Sequence, residues 1–356
     1  MSARAVATAS DAHAAEAATA LLTRGNAVDA VIAGVFAAAA ASPSVLLGPV
    51  QILLGGAGLG LRAIDGRTQQ PGRGVARPRG FTSAAEIAPA SRVGVPALPA
   101  ALASTLATSG ASTLNQVMAP ALAIATDVRK SVLKRILQRG PAALADDFIA
   151  SELVAVAGRI AGGVLTKEDL DELRPPYLTC EMHDLPEGVR RAAFVPWRVD
   201  AILGSGGLEN TPLDTTRTRI VAAADHKGLL AIACYEVHEM GLPIPELDLV
   251  APFTAAPVLR GQTRVRPGEP RPSAAPIAIS EFQGMMDLAL AFTGTREGET
   301  ALGRVLAKLA AGELLDISTS ISEGAGISEG ARGAGAILGV LRTRSTASLV
   351  RSARVE

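Results

Sequence analysis

The sequence predicts an α+β fold, and three observations carry that prediction. Helical periodicity dominates the first half of the chain, short strand-like runs dominate the second, and the two are segregated rather than alternating. The core must also be aliphatic, because 48% of the 356 residues are hydrophobic, only 3% are aromatic, and 68 are alanine. Side chains this small let helices and sheets approach closely in layered folds.

Taken in order, residues 12–22 read as a first helix and the run from Ala27 to Ala41 as a second, with Asn26 as its cap and Asp29 in its first turn. Residues 50–64 alternate apolar runs with glycines, as a strand pair does. Residues 67–80 are rich in Gly, Pro and Arg and read as loop. Helical pattern returns at 97–106, 114–126, 130–137, 142–158 and 167–173, where Pro175-Pro176 stops it. Short strands follow from Leu178, among them 219–224 and 229–237, and 260–276 reads as a second loop. Helices at 284–292 and 299–311 and a strand at 336–341 close the prediction. Residues 321–326 and 327–332 repeat as ISEGAG and ISEGAR, a local duplication too short for a solenoid.

Composition excludes several classes. Lys+Arg and Asp+Glu both total 34, so no basic footprint points to nucleic acid or an anionic membrane. Two cysteines cannot make a disulfide framework or, alone, a structural zinc site. The 32 uncharged residues from Ala30 to Leu61 are broken by Pro43, Gly48, Pro49 and Gln51. They read as a buried helix, a turn and a buried strand rather than a membrane span. Asp11, His13 and Glu16 interrupt the region where a secretory signal needs an apolar run, so a cytoplasmic protein is expected.

Three motifs invite chemistry. Gly55-Gly56-Ala57-Gly58-Leu59-Gly60 lacks the helix that must open directly after a dinucleotide fingerprint, and close backbone packing explains it better. Cys234, Glu236 and His238 alternate, so on a strand they share a face, as a metal site or an acid/base pair would require. Three ligands from one strand rarely converge, so the preferred reading is an edge strand with a solvated Glu–His face and a buried Cys. Asp214-Thr215-Thr216 precedes a strand, and a Thr-Thr pair by itself is ordinary strand sequence.

Several segments in order nevertheless resemble the γ-glutamyltransferase (γ-glutamyltranspeptidase) family of N-terminal-nucleophile (Ntn) hydrolases. Thr23–Ala30 is similar to the family's Gly-Gly-Asn-Ala-Val-Asp-Ala helix signature. Gly55–Gly60 followed by Ile64-Asp65-Gly66-Arg67 resembles its glycine-rich strand and Asp-Gly-Arg turn. Val93-Gly94-Val95-Pro96, residues 163–170 and Asp214-Thr215-Thr216 resemble its Val-Gly-Val-Pro, Gly-Leu-Leu-Thr-x-Glu-Asp-Leu and Thr-Thr nucleophile segments. Residues 333–341 resemble its C-terminal strand.

The resemblance implies a four-layered αββα sandwich, truncated, with a large-subunit-like region 1–214 and a small-subunit-like region 215–356 forming one structural domain. It implies self-cleavage before Thr215, which then attacks a γ-glutamyl amide with its own α-amine as base, beside Thr216. By the same resemblance Arg67 holds the substrate α-carboxylate and Asp248 its α-amine, and no metal or other cofactor is expected. The departures are as specific as the matches. The family's Thr-Thr-His reads Thr215-Thr216-Arg217, Glu236 stands for a threonine, and His238 stands for an asparagine. The paired serines are reduced to Ser273-Ala274, and the Gly-Gly oxyanion loop reads Glu281-Phe282-Gln283-Gly284, with Gly284 alone surviving. Losing one oxyanion donor costs on the order of a hundredfold in rate. The leading expectation is therefore a catalytically degenerate scaffold with a protein partner. An active divergent amidohydrolase acting on a γ-glutamyl or other amide through Thr215 is the alternative, and a ligand-binding module on Cys234, Glu236 and His238 the third.

Overall fold

The computed structural model describes residues 5–76, 80–171, 173–185, 190–203, 216–293, 298–311, 336–343 and 346–352. In chain order these form β1 (Val6–Ala9), α1 (Ala12–Leu22), α2 (Ala27–Ala41), β2 (Val50–Gly56), β3 (Arg62–Gly66), α3 (Leu98–Ser109), α4 (Leu114–Ile124) and α5 (Asp127–Arg139). Next come α6 (Asp147–Ala157), α7 (Lys167–Asp171), β4 (Tyr177–Thr179), β5 (Met182–Asp184), β6 (Arg190–Ala193), α8 (Val199–Leu203), β7 (Thr216–Ala224), β8 (Leu229–His238), β9 (Gly241–Ile244) and β10 (Leu249–Pro252). The chain closes with β11 (Ile277–Phe282), β12 (Met285–Thr293), α9 (Gly298–Ala310), β13 (Ala336–Arg342) and β14 (Ala347–Ser352).

Two antiparallel sheets face each other, ordered β1-β7-β8-β2-β3-β4 and β14-β13-β12-β11-β6-β5. Strand alternation sorts their side chains into layers. Leu53, Ile220, Ala222, Leu230 and Ile232 from the first sheet meet Ile277, Ile279, Ala289, Ala291, Leu338 and Val340 from the second. The opposite face of the first sheet packs Val50, Ile52, Val221, Ala231 and Ala233 against α1 to α6. The opposite face of the second packs Ala278, Leu288, Leu290 and Phe292 against Leu302, Val305 and Leu306 of α9. The result is the four-layered αββα sandwich. Strands from before and after position 214 stand side by side in both sheets.

Local chemistry explains the helices next to the site. Asn26 and Asp29 form a reciprocal capping box on α2, and every residue of α2 but Ala41 is buried. The helix can lie this close because it presents alanine and glycine to the sheet. A Cβ at Gly34 would stand 2.8 Å from Val221 Cγ1. The uncharged stretch is thus a buried helix, a turn and a buried strand, and no helix among the described residues is long and apolar enough to cross a membrane.

Two expectations need correction. Residues 284–292 are not a helix. Gln283 and Gly284, both at positive φ (52° and 77°), make a two-residue turn into strand β12. Its Leu-Ala-Leu-Ala run suits a helix by propensity, but here the alanines face the inter-sheet core and Leu288, Leu290 and Phe292 face α9. Strand β8 is not an edge strand, since it lies between β7 and β2, and Glu236 is only 3% exposed. Strands β1 and β14 carry too little alternation to be read from sequence. The ISEGAG repeat and Thr215 lie outside the described residues.

Candidate functional site

Register gathers the polar residues of the first sheet on its inner face. Gln51 pairs with Cys234 on one side and with Asp65 on the other, and Cys234 pairs with Ile220. Directly paired residues share a face, so Gln51, Cys234 and Asp65 join the inner row, with Glu236 and His238 further along β8. Beyond them Thr218 pairs with Glu236 and Thr216 with His238. The start of β7, at Thr216, therefore lies at the end of the row that carries Glu236 and His238.

These groups form one polar chain, hydrogen-bonded from Glu236 to Trp197 with His238 beside its end. His238 Nε2 stands 3.1 Å from Glu236 Oε2. Ser273 Oγ donates to Glu236 Oε1 at 2.7 Å. Gln51 Nε2 donates to Ser273 Oγ at 3.0 Å and to the Ala274 carbonyl at 2.8 Å. Trp197 Nε1 donates in turn to Gln51 Oε1 at 2.5 Å. The Trp197 ring lies under the Arg67 guanidinium, 4.6 Å from its centroid. Arg67 grips Asp65 with both arms of its fork, Nε to Oδ1 at 2.9 Å and Nη2 to Oδ2 at 2.7 Å. Buried polar groups are costly unless bonded, and this chain gives Glu236, Ser273, Gln51 and Trp197 their partners across the seam between the sheets.

Cys234 does not join as a thiolate. Complete burial, and after it the nearby Glu236 and Glu299 carboxylates, push its thiol well above the usual range. Burial also pushes Cys180 up, to about 12. No group of three His, Cys, Asp or Glu side chains among the described residues is placed to hold a metal.

Two of the residues expected at the site stand elsewhere. Asp248, at φ +52°, is bound by Arg129 Nη2 at 2.9 Å and Thr126 Oγ1 at 2.5 Å, which fasten it to the start of α5. Gly284 sits in the β11–β12 turn. That turn lies toward the Gly55 end of β2, where a Cβ on Gly55 would meet Met286 and Ile279, whereas Ser273 and Ala274 meet Gln51 at the other end. Strand β12 then runs back toward the Gln51 end and leads into α9. There Glu299, 3% exposed, accepts from the Ala275 N–H at 2.9 Å and pairs with Arg198. Sequence reading missed Gln51, Trp197, Asp65 and Glu299. Of these, only the Asp65-x-Arg67 spacing carried a signal.

No family model and no curated protein matches the chain. Solved structures do. A cephalosporin acylase from Bacillus halodurans overlays at a TM-score of 0.72 and 14% identity, covering 99% of this chain and 94% of that one. LmbA2991HD overlays at 0.71 and 14% identity, covering 99% and 96%. A γ-glutamyltranspeptidase from Helicobacter pylori overlays on 49% of this chain and 65% of its own, at 0.42 and 19% identity. Near-complete coverage at such low identity is a likeness of fold, and the shared fold is the αββα sandwich described above.

Proposed function

We propose that this chain is a γ-glutamyltransferase-like protein that keeps the Ntn-hydrolase scaffold for binding or assembly and does not turn over substrate. The observation that carries the proposal is Glu236, a buried carboxylate one strand away from the start of β7. Thr216 is its diagonal neighbour, about 7 Å away by sheet geometry. Negative charge developing there meets about 2 kcal/mol of repulsion from a carboxylate at that distance at an effective dielectric of 20, roughly a thirtyfold loss in rate. The fork of Arg67 is already spent on Asp65, which weakens its fitness for a substrate α-carboxylate. The free, buried thiols of Cys180 and Cys234 agree with a cytoplasmic setting.

One observation favours the alternative, an active amidohydrolase or acyltransferase on Thr215. His238 is the cross-strand partner of Thr216 and leans on Glu236, and an imidazole–carboxylate pair beside a threonine can activate it. Intact mass of freshly purified protein under denaturing conditions separates the two. The proposal expects one species at full mass. Two fragments, of 214 residues and the remaining 142 of 356, with the smaller beginning at Thr215, would overturn it. Thr215→Ala should then abolish the cut.

A further inference from the structure

Strand β4 is the last strand of the first sheet, and its three residues, Tyr177, Leu178 and Thr179, are all exposed. Its backbone bonds to the sheet lie on one side. The Asp65 N–H donates to the Pro176 carbonyl at 3.1 Å, Leu178 pairs with Ala63, and the Cys180 N–H donates to the Leu61 carbonyl at 3.2 Å. Hydrogen-bonding direction alternates along a strand, so the N–H and C=O groups of Tyr177 and Thr179 point away from the sheet. Among the described residues no strand pairs with that edge.

Proteins usually blunt such an edge with a lysine, a bulge or a covering element. Residues 177–179 carry neither charge nor bulge, and Tyr177 and Leu178 stand among the exposed large apolar side chains. Tyr177 is also held in place, its hydroxyl 2.9 Å from Ser109 Oγ at the end of α3. A fixed tyrosine, apolar in its ring and polar at its tip, suits an interface.

The edge is closed on one flank, because Pro175 occupies the next outward-facing position and has no N–H to give. An incoming strand must therefore pair from Tyr177 onward. One antiparallel register satisfies every outward group of β4 with a strand of its own sequence. It is centred on Leu178 and sets Tyr177 opposite Thr179 of the partner subunit, and Thr179 opposite Tyr177 of the partner subunit. Leu178 then faces its own copy in a non-hydrogen-bonded pair, where side chains stand closest. Charge agrees with this register. Arg174 precedes the strand and Glu181 follows it, both are exposed, and neither makes an ion pair among the described residues. The two-fold brings each Arg174 within one position of facing Glu181 of the partner subunit. Its axis runs perpendicular to the sheet, so β5, the last strand of the second sheet, comes beside its own copy as well. Such a self-complementary contact closes at two subunits.

We infer that β4 pairs with β4 of a second copy of this chain and joins the first sheets of the two into one continuous sheet. The inference goes beyond the scaffold reading and does not depend on whether Thr215 is cut. Native mass tests it and denatured mass tests that reading, so the two can fail separately.

Sedimentation equilibrium of the full-length protein from about 1 to 200 μM reads the native mass, and a dimer with a micromolar Kd is expected for so short a ladder. Thr179→Pro removes an outward N–H and leaves the bonds to β3, which use Leu178 and Cys180, so it should weaken association by about tenfold or more. Leu178→Asp sets two carboxylates directly opposite each other and should weaken it at least as much. Glu181→Arg should cost about threefold, and adding Arg174→Glu should restore the loss, a rescue that a merely structural effect does not produce. These side chains are exposed, so urea midpoints should stay near the parent's; where Leu178→Asp does not fold, Thr179→Pro and the charge exchange still decide. A monomer throughout, a mass that climbs past the dimer, parental association in Thr179→Pro, or a charge exchange that fails to rescue would each overturn the assignment.

Discussion

Gln51 is the middle link of the buried chain, and Gln51→Leu tests whether that chain holds the two sheets together. The side chain is 1% exposed, and leucine is of similar size, so the change removes bonds more than volume. The indole N–H of Trp197 loses its partner and the Ala274 carbonyl keeps only the weak Cys234 thiol donor at 3.8 Å, whereas Ser273 Oγ keeps Glu236. An orphaned buried donor or acceptor costs about 1–3 kcal/mol, so the pair costs about 3 kcal/mol. Leucine spares the desolvation of an amide, which returns about 1 kcal/mol. The net expectation is a loss of about 2 kcal/mol. Urea unfolding followed by far-UV circular dichroism measures it, and Trp197 emission should shift in the folded variant. Trp197→Phe removes the donor from the other side, and the double variant should show a coupling of about 1 kcal/mol. A loss below about 0.5 kcal/mol together with strict additivity would refute the reasoning, because the bonds would then contribute nothing that surrounding packing does not.

Two further substitutions probe the fold. Asp248→Ala should lower stability by about 1–2 kcal/mol in urea unfolding, discounted because the carboxylate is partly exposed. Unchanged stability would contradict the packing role of these bonds. Asp287, paired with Arg190 and accepting from Ser280, has its pKa raised above 3.8, chiefly by burial against the opposing pull of Arg190. A raised carboxyl gives its full contribution below the unfolded value and loses it as pH climbs through the folded one. The stability of Asp287→Asn relative to the parent should therefore rise with pH from about pH 4 upward. Urea midpoints across that range check it, and a relative stability that falls with pH would contradict the assignment.

The layered fold was legible because its signals are local. The Asn26 cap, the breakers after Ala41 and the alternation along β8 each act within a few residues. The 284–292 segment misled because alanine and leucine suit both periods, and only the second sheet decides between them. The site was half legible. The face shared by Glu236 and His238 follows from alternation, but its burial follows from β8 lying between β7 and β2, a pairing across nearly two hundred residues of chain. Gln51 and Trp197 gave no signal, since a glutamine in a strand and a tryptophan after a proline are common until a partner fixes them. Asp248 shows the reverse case. Its motif match pointed to a ligand, while its bonds to Thr126 and Arg129 serve packing.

The same pairings show why chemistry could be lost here without losing the fold. The regions before and after position 214 are joined along β1–β7, β8–β2 and β11–β6, so neither can form a complete sheet alone. A cut at that point would leave these ladders and the shared inter-sheet core intact, and an uncut chain needs nothing more to close them. The polar chain lies on this seam: Arg67, Gln51 and Trp197 come from the first region, Ser273, Glu236 and His238 from the second. The joining of the two regions therefore rests on Gln51, Trp197, Ser273 and Glu236, whether or not Thr215 reacts. A carboxylate at position 236 repels charge at the start of β7 yet accepts from Ser273 and stands beside His238, so it is costly for catalysis and useful for assembly. On the proposed reading, a scaffold released from catalysis, that opposition is tolerated, and a working nucleophile at position 215 would need it relieved.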